Sequence, residues 1–549
     1  MASLAPVPAR ASPRKLRIAI FADSPRQPRW IVEALAKVAA CDYAEVVAIC
    51  VVARRGQPGR PGSEQGQGRV GPGSERGLTP VWGLFSRVDR MLFGAKADWE
   101  APCDLEALVA RSRRIACAEL MRSEGTPLDV AFAIGDVDDA SLDALARYGT
   151  WRYCFGEDEG TCEARAGVRE VIERAPTTAS GLRIRVGDGA SDRIAHRSWS
   201  RTQLLSVAKS RANVFAKSSE FVARALRELH AAGPTWIEER TAPARPLSGE
   251  STRGAAGVGD AARMGKRLAQ RAASKLLNVE QWSLAFRFTE VEPWTGSLEG
   301  FFRLEPPKDR FWADPFPIQR AGRSYIFFEE LPFAAGKAHI SVVEVDREGR
   351  ASAPARVLER DYHLSYPFLI EDQGVLYMIP ETAHNRTIEI YRCTDFPHRW
   401  RRERVLVEGV HAADATVHRG EGRWWMFANA AEHGAEMHDE LHLYSAERLM
   451  GEWQAHRHNP VKSDVRSARP AGRLFAQGAR LYRPAQICAP LYGSGVSINR
   501  VTRLSHEEFA EEEERRIVPA PASGLLGLHT INRAGDLSVV DVFARRRRL

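Results

Sequence analysis

The stretch ADPFPIQRAGRSYIFFEE (313–330) recurs, gap for gap, as SYPFLIEDQGVLYMIPET (365–382), ADATVHRGEGRWWMFANA (413–430) and RPAGRLFAQGARLYRPAQ (469–486). In each copy an anchor residue (Asp314, Tyr366, Asp414, Pro470) is followed eight positions later by glycine (322, 374, 422, 478). An apolar side chain (Tyr325, Tyr377, Trp425, Leu481) follows eleven positions after the anchor. Alternating residues on both sides of that glycine read as a β-hairpin. Hairpins recurring roughly every fifty residues read as blades of a β-propeller, four strands to a blade. A sandwich with coincidental turns has no reason to hold that register. EQWSLAFRF (280–288) and HTINRAGDLSVVDVF (529–543), at the two ends of the region, are read as one more blade. We expect a five-bladed propeller over 276–549, its ring closure removing open sheet edges.

Upstream the texture changes. LRIAIFAD (16–23), the helical pattern PRWIVEALAKVAA and AEVVAICVV (44–52) form a strand–helix–strand unit. A Gly/Pro/Gln-rich insertion covers 54–77. Then come a helix at 104–123, a buried strand LDVAFAIGD (128–136), and helices near 139–147 and 216–231. The expectation is a disordered start (1–15), a Rossmann-type α/β domain (16–235), a small-residue linker (236–275) with a short basic helix at its end, then the propeller.

Of 549 residues, 44% are hydrophobic and 27% charged, which excludes wholesale disorder. There is no apolar run of about 18 residues that would cross a membrane, and no secretory h-region at the N-terminus. The +8 net charge arises from scattered basic residues and a terminal cluster, Arg545 to Arg548, so nucleic acid is not an expected partner. The eight cysteines form no CxxC pair and no zinc spacing, which suits a reduced, cytoplasmic protein with no metal and no cofactor. His438-Asp-Glu-Leu-His442 mimics a zinc-protease helix, but its Glu is one place late and ELHLYS alternates like a strand.

The innermost strand of a propeller blade lines the axis, so anchors from different blades converge on one mouth. Asp314, Asp414 and Glu381 are the candidate catalytic carboxyls, because paired carboxylates serve acid/base or nucleophilic sugar chemistry. Candidate substrate contacts are Trp312, Glu330 (or its neighbour Glu329), His363, Tyr366, Arg469, Arg483, Gln486 and Tyr492. Trp312 is read as a stacking platform. Arg469 and Arg483 are read as partners for an anionic group. Trp424, Trp425 and Phe427 are read as blade packing.

WADPFPIQRAGRSYIFFEE resembles the first blade of family 43 glycoside hydrolases. WADPF…YIFFEE, YPFLIED…YMIPET, DATV…WWMF, HNPVKSDVRSARPAG and LYRPAQ…YG resemble the N-terminal propeller of glucosamine inositolphosphorylceramide transferases. The hydrolase resemblance implies a general-base role for Asp314. It also exposes departures: Tyr366, Pro367 and Phe368 stand where a second-blade carboxylate is expected, and Arg469 where an acidic partner is. LRIAIFADS, LDVAFAIGD and the stretches 148–160 and 181–199 resemble formyltransferases, but Trp151 to Phe155 replace the Asn and His of that family, leaving Asp192 as a remnant acid. The expectation is a carbohydrate-active protein of surface-glycan metabolism that binds a sugar or glycoconjugate, with glycosyl transfer or hydrolysis as its chemistry. A non-catalytic glycan-binding or scaffold module stays open beside it, as does amino-sugar formyl transfer. The oligomeric state is not legible.

Overall fold

The recurring glycines are where the blades turn. Ala321–Gly322, Gln373–Gly374 and Glu421–Gly422 have positive φ at both central residues, the signature of a two-residue type I′ hairpin, whose twist matches that of the flanking strands. In this computed structural model the described residues are 14–52, 80–94, 98–105, 127–137, 142, 144–159, 165–187, 192–245, 258–290, 298–432 and 434–547.

The first blade pairs Arg310–Arg320, Arg323–Pro332, His339–Val345 and Ala355–Leu358 in that order. The second pairs Ser365–Asp372, Val375–Glu381, Thr387–Asp395 and Arg399–Glu408. The third runs Ala412–Gly420, Arg423–Ala430, Glu440–Ala446 and Gln454–Ala455, with Lys462–Ser463 as an extra pairing. The fourth runs Phe475–Gln477, Arg480–Ile487, Gly495–Leu504 and Phe509–Ile517. The fifth joins the two ends of the region. Asn278–Phe288 lies antiparallel to Leu537–Arg547, in register from Asn278 opposite Arg547 to Phe288 opposite Leu537. Phe302–Leu304, Leu525–Gly527 and Ile531–Ala534 complete this sheet. The five expected blades are present, with the closing one built from the expected segments.

The apolar core lies between blades. Leu284, Phe286, Leu537 and Val539 of the fifth blade pack on Trp312, Ile326 and Phe328 of the first. Phe316, Phe368, Met378, Trp424 and Met426 carry the core through the first three blades. Trp425, Phe427 and Leu443 meet Leu474 and Leu481 between the third and fourth, and Tyr482, Ile498, Ile531 and Val540 join the fourth to the fifth. Each such side chain contributes about 1.5–3 kcal/mol on burial. Trp424, Trp425 and Phe427 are therefore packing residues, and Glu440–Ala446 is a strand.

The chain divides into two compact units: Met1–Arg169 with Ala179–Arg197 and Val214–Ala256, and Glu170–Thr178 with Ser198–Asn213 and Gly257–Leu549. The N-terminal region carries a seven-stranded sheet. Its order is Ala44–Val51, Leu16–Ala22, Val130–Ile134, Thr150–Phe155, Thr177–Arg185, Arg193–Arg201 and Ala242–Pro243. The first four strands are mutually parallel, and Thr150–Phe155 is antiparallel to its next neighbour. Helix Arg29–Ala40 crosses between the two leading strands and buries Trp30, Ile31, Ala34, Leu35 and Val38. The single helix expected at 216–231 is two, Val207–Ser218 and Phe221–Ala232. Between them the Ser219 hydroxyl donates to the Ala216 carbonyl (2.7 Å) and competes with the helical ladder. Within 236–275, Trp236–Arg240 and most of Val258–Leu277 are helical. The insertion 54–77 and nearly all of the helix expected at 104–123 lie outside the described residues.

Candidate functional site

Three anchors share a backbone device. Asp314, Tyr366 and Asp414 have φ of 51°, 44° and 55°, and the pairing register slips at each: between Ala313 and Phe316, Ser365 and Phe368, Ala413 and Thr416. A β-bulge with a left-handed non-glycine residue costs energy and re-aims its side chain. Repetition at equivalent places in three blades gathers the three side chains around the axis. The fourth anchor, Pro470, cannot adopt positive φ, and Arg469 beside it is the residue that reaches the anchor of the preceding blade.

Asp314 is buried. Its Oδ1 accepts from the Thr530 hydroxyl (2.7 Å) and its Oδ2 from the Tyr366 amide (3.2 Å). The Asp314 amide donates to Asp541 (3.0 Å), which also accepts from the amides of His529 and Thr530 and lies 2.5 Å from His529 Nδ1. Asp414 is fully buried and accepts from Arg469 Nε (2.5 Å), Arg469 Nη2 (3.2 Å) and Gln486 Nε2 (2.8 Å). Arg469 also stands 3.5 Å from Glu381 Oε2, with its guanidinium 5.1 Å from the Tyr492 ring centroid. The Tyr366 hydroxyl lies 2.8 Å from Thr416 Oγ1 and accepts from the Gly472 amide (2.7 Å), plugging the axis between three blades.

Above this layer opens a cleft of about 190 Å³. Its ionisable lining is Asp314, Glu329, His363, Glu381, Arg469 and His529; its aromatic lining is Trp282, Phe311 and Tyr492. Trp282 stacks on His529 at 4.0 Å and 17°, so that ring is held from one face by an indole and from its edge by Asp541.

The electrostatics follow from burial and crowding. Burial, with the carboxylates of Asp414, Glu329 and Asp541, pushes Asp314 up to about 7 against the pull of His529. Burial, then Asp414, pushes Glu381 up to about 8 against Arg469 and His363. Burial works against a charged imidazole, yet Glu329, 3.1 Å from His363 Nε2, raises that histidine to about 8. Asp541 and Asp314 likewise overcome burial and raise His529 to about 9. Two carboxyls facing one cleft thus titrate in the neutral range, where each can hold or release a proton. Ligand atoms of Asp314, His529 and Asp541 lie within 4.8 Å of one another, close enough to hold a metal ion. However, His529 Nδ1 already meets Asp541, and Asp314 already accepts two hydrogen bonds, so the trio is satisfied without one.

The structure brings Asp314, Glu381, His363, Arg469 and Tyr492 together at the cleft. Asp414 lies behind Arg469 and Tyr366 beneath the floor, neither lining the cleft. Gln486 is also below, donating to Asp414 and the Pro470 carbonyl. Strand alternation turns Glu329 to the cleft and Glu330 away, where Arg310, Ser341 and His339 hold it down at about 2 against burial. Trp312, read as a stacking platform, instead packs on Phe328 at 5.3 Å inside the core between blades; Trp282 and Phe311 supply the aromatic wall. Arg483, read as an anion partner, is fully buried in the fourth blade, donating to Glu511 (2.6 and 2.8 Å) and the Ser467 carbonyl. Arg469 is likewise already engaged by carboxylates, so neither arginine is a ready anion site. Trp282, Phe311, His529 and Asp541 escape sequence reasoning; the one available signal for His529 and Asp541 is their place in the segment that closes the ring. In the α/β unit, Asp192 pairs with Arg183 Nε at 2.6 Å.

Fold and site together define a five-bladed propeller with a titratable, aromatic-walled cleft at its axis. Residues 305–525 match the family model of the N-terminal region of glucosamine inositolphosphorylceramide transferase 1. The rice (Oryza sativa subsp. japonica) transferase of that name is 33% identical over 205 residues, covering 37% of this chain and 27% of the relative. The Arabidopsis thaliana protein is 30% identical over 207 residues with the same coverage. The match thus spans about a quarter of the curated relatives' length. Among solved structures, a family 117 glycoside hydrolase from Zobellia galactanivorans aligns with a TM-score of 0.32 at 10% identity, covering 49% of this chain and 91% of the other. A family 43 β-xylosidase/α-arabinofuranosidase from a compost metagenome aligns at 0.33 and 12%, covering 43% and 91%.

Proposed function

We propose that the propeller is a carbohydrate-active domain that seats one sugar residue of a glycoconjugate in the axial cleft and acts at its glycosidic bond. Glu381 is the proton donor to the departing oxygen. Asp314 is the base or nucleophile on the other side of the reacting carbon. The observation that carries the reading is that these two carboxyls face one cleft with pKa values lifted to about 8 and about 7, so one proton can be shared out between them at neutral pH. Trp282 and Phe311 offer apolar faces to a sugar ring, and Glu329, held by His363, offers an acceptor for its hydroxyls. The matched relatives are named glucosamine inositolphosphorylceramide transferase 1, which makes a glycolipid the first substrate to try.

One observation favours a second reading, glycan binding without turnover: Arg469 sits 3.5 Å from the carboxyl that has to give up its proton. A panel of aryl glycosides, nucleotide sugars and glycolipids separates the two. Turnover lost in both Asp314→Asn and Glu381→Gln supports the enzyme. Saturable sugar binding with no turnover, unchanged by Glu381→Gln, supports the binding module.

A further inference from the structure

We propose that helix Pro80–Phe93 is a docking surface for an anionic lipid bilayer. The helix reads PVWGLFSRVDRMLF. Leu84, Val88, Met91 and Leu92 are 64%, 41%, 78% and 59% exposed. At 100° per residue they occupy one arc of roughly 100°. Single exposed apolar residues are ordinary on a protein surface. Four large ones aligned over two turns form a contiguous stripe that water solvates poorly, and such stripes mark interaction faces.

Charge selects the occupant. Arg87 and Arg90 are exposed on the same helix, whereas its one acid, Asp89, is buried. The exposed charge on the helix is therefore positive, on a chain whose net charge is +8 and pI about 9.1. A second copy of this chain would bring like charge to like. An anionic headgroup layer accepts the arginines while its acyl boundary accepts Leu84, Val88, Met91 and Leu92, the arrangement of helices that lie in the membrane interface. Fourteen residues span about 21 Å, short of the roughly 30 Å hydrocarbon core, so the helix lies on the bilayer rather than through it. With four apolar side chains and two arginines the attachment is weak and reversible, and it weakens with salt. The inference rests on none of the cleft residues and stands or falls apart from the glycosidic reading.

The test is co-sedimentation of the full chain with phosphatidylcholine vesicles carrying about 30 mol% phosphatidylserine, against pure phosphatidylcholine, at roughly 0.1 M salt. We expect at least tenfold stronger partitioning onto the anionic vesicles. The double variant Leu84→Glu/Met91→Glu should lower it at least tenfold. Arg87→Gln/Arg90→Gln should lower it roughly fivefold per arginine and flatten the salt dependence. All four positions are exposed, so unchanged circular dichroism and melting certify the folded variants. Equal partitioning of parent and Leu84→Glu/Met91→Glu, or no preference for anionic vesicles, overturns the proposal. So does a parent dimer in sedimentation velocity that the same variant dissociates, because the stripe then covers a second copy.

Discussion

Replacing Asp314 by Asn should make the propeller more stable in alkali while removing the glycosidic activity proposed for the cleft. Asp314 titrates near 7 in the folded state against an ordinary 3.8, chiefly because of burial. Below about pH 4 the group is protonated in both folded and unfolded chains. As pH rises the unfolded carboxyl ionises first, so the stability carried by the buried proton declines until the folded group also ionises near 7, then levels off. Three pKa units correspond to about 4 kcal/mol at 1.36 kcal/mol each. Asparagine reproduces the neutral acid: its Oδ1 can accept from the Tyr366 amide while its Nδ2 donates to the Thr530 hydroxyl, which is able to accept. The variant should match the parent near pH 4 and exceed it above pH 8 by up to about 4 kcal/mol, roughly 8–16 °C in Tm for a unit of this size. Loss of the attraction to His529, which lies 3.7 Å away, subtracts from that gain. Calorimetry of parent and variant at pH 4, 6, 7.5 and 9 reads the difference. A difference that stays constant across this range, or that falls as pH rises, refutes the account of a buried carboxyl kept at a cost to stability for chemistry.

Other consequences are as direct. Arg469→Met strands Asp414, fully buried with Gln486 as its remaining side-chain donor, and should lower stability by about 3–5 kcal/mol in chemical denaturation. Arg483→Met leaves Glu511 with Lys462 as its remaining cation, at 2.6 Å, so it should cost less than Arg469→Met and leave ligand affinity at the cleft unchanged in calorimetric titration; a selective loss of binding would return Arg483 to the site. Gly472, at φ 137°, faces the Ile531 carbonyl so closely that any Cβ would collide with backbone, so Gly472→Ala should cost more than about 3 kcal/mol in thermal melts. If Glu381 gives the proton and Asp314 takes one, the pH–rate profile should be a bell centred between about 7 and 8, and Glu381→Gln should abolish its alkaline limb along with turnover of poor leaving groups.

Much of the propeller was legible because its signals are local. The glycine of a type I′ turn is demanded by φ, whatever packs around it. The continuous apolar run after it, YIFF in the first blade, reports a strand buried on both faces. The closing blade was legible only as a pair of unclaimed segments with the right alternation. The site was legible in outline: Asp314, Glu381, His363, Arg469 and Tyr492 were singled out from residue type and strand position, and they meet at the cleft. Which face Trp312 takes, and which of Glu329 and Glu330 on the strand opposite meets the cleft, could not be read from the period, because the bulge at Asp314 inserts a step into the alternation of Arg310–Arg320.

The sequence by itself therefore determined the repeating hairpin, the number of blades and the positions from which axial side chains depart, since backbone conformation and strand period are written within a few residues. The tertiary structure decided which of those side chains are free to act. Asp414 and Arg469 are 55 residues apart, and Asp314 and Thr530 are 216 apart. Whether each carboxyl is neutralised, hydrogen-bonded or left to titrate depends on partners that only ring closure brings within 3 Å. The same closure excludes the water that would otherwise hold these carboxyls at their ordinary pKa values.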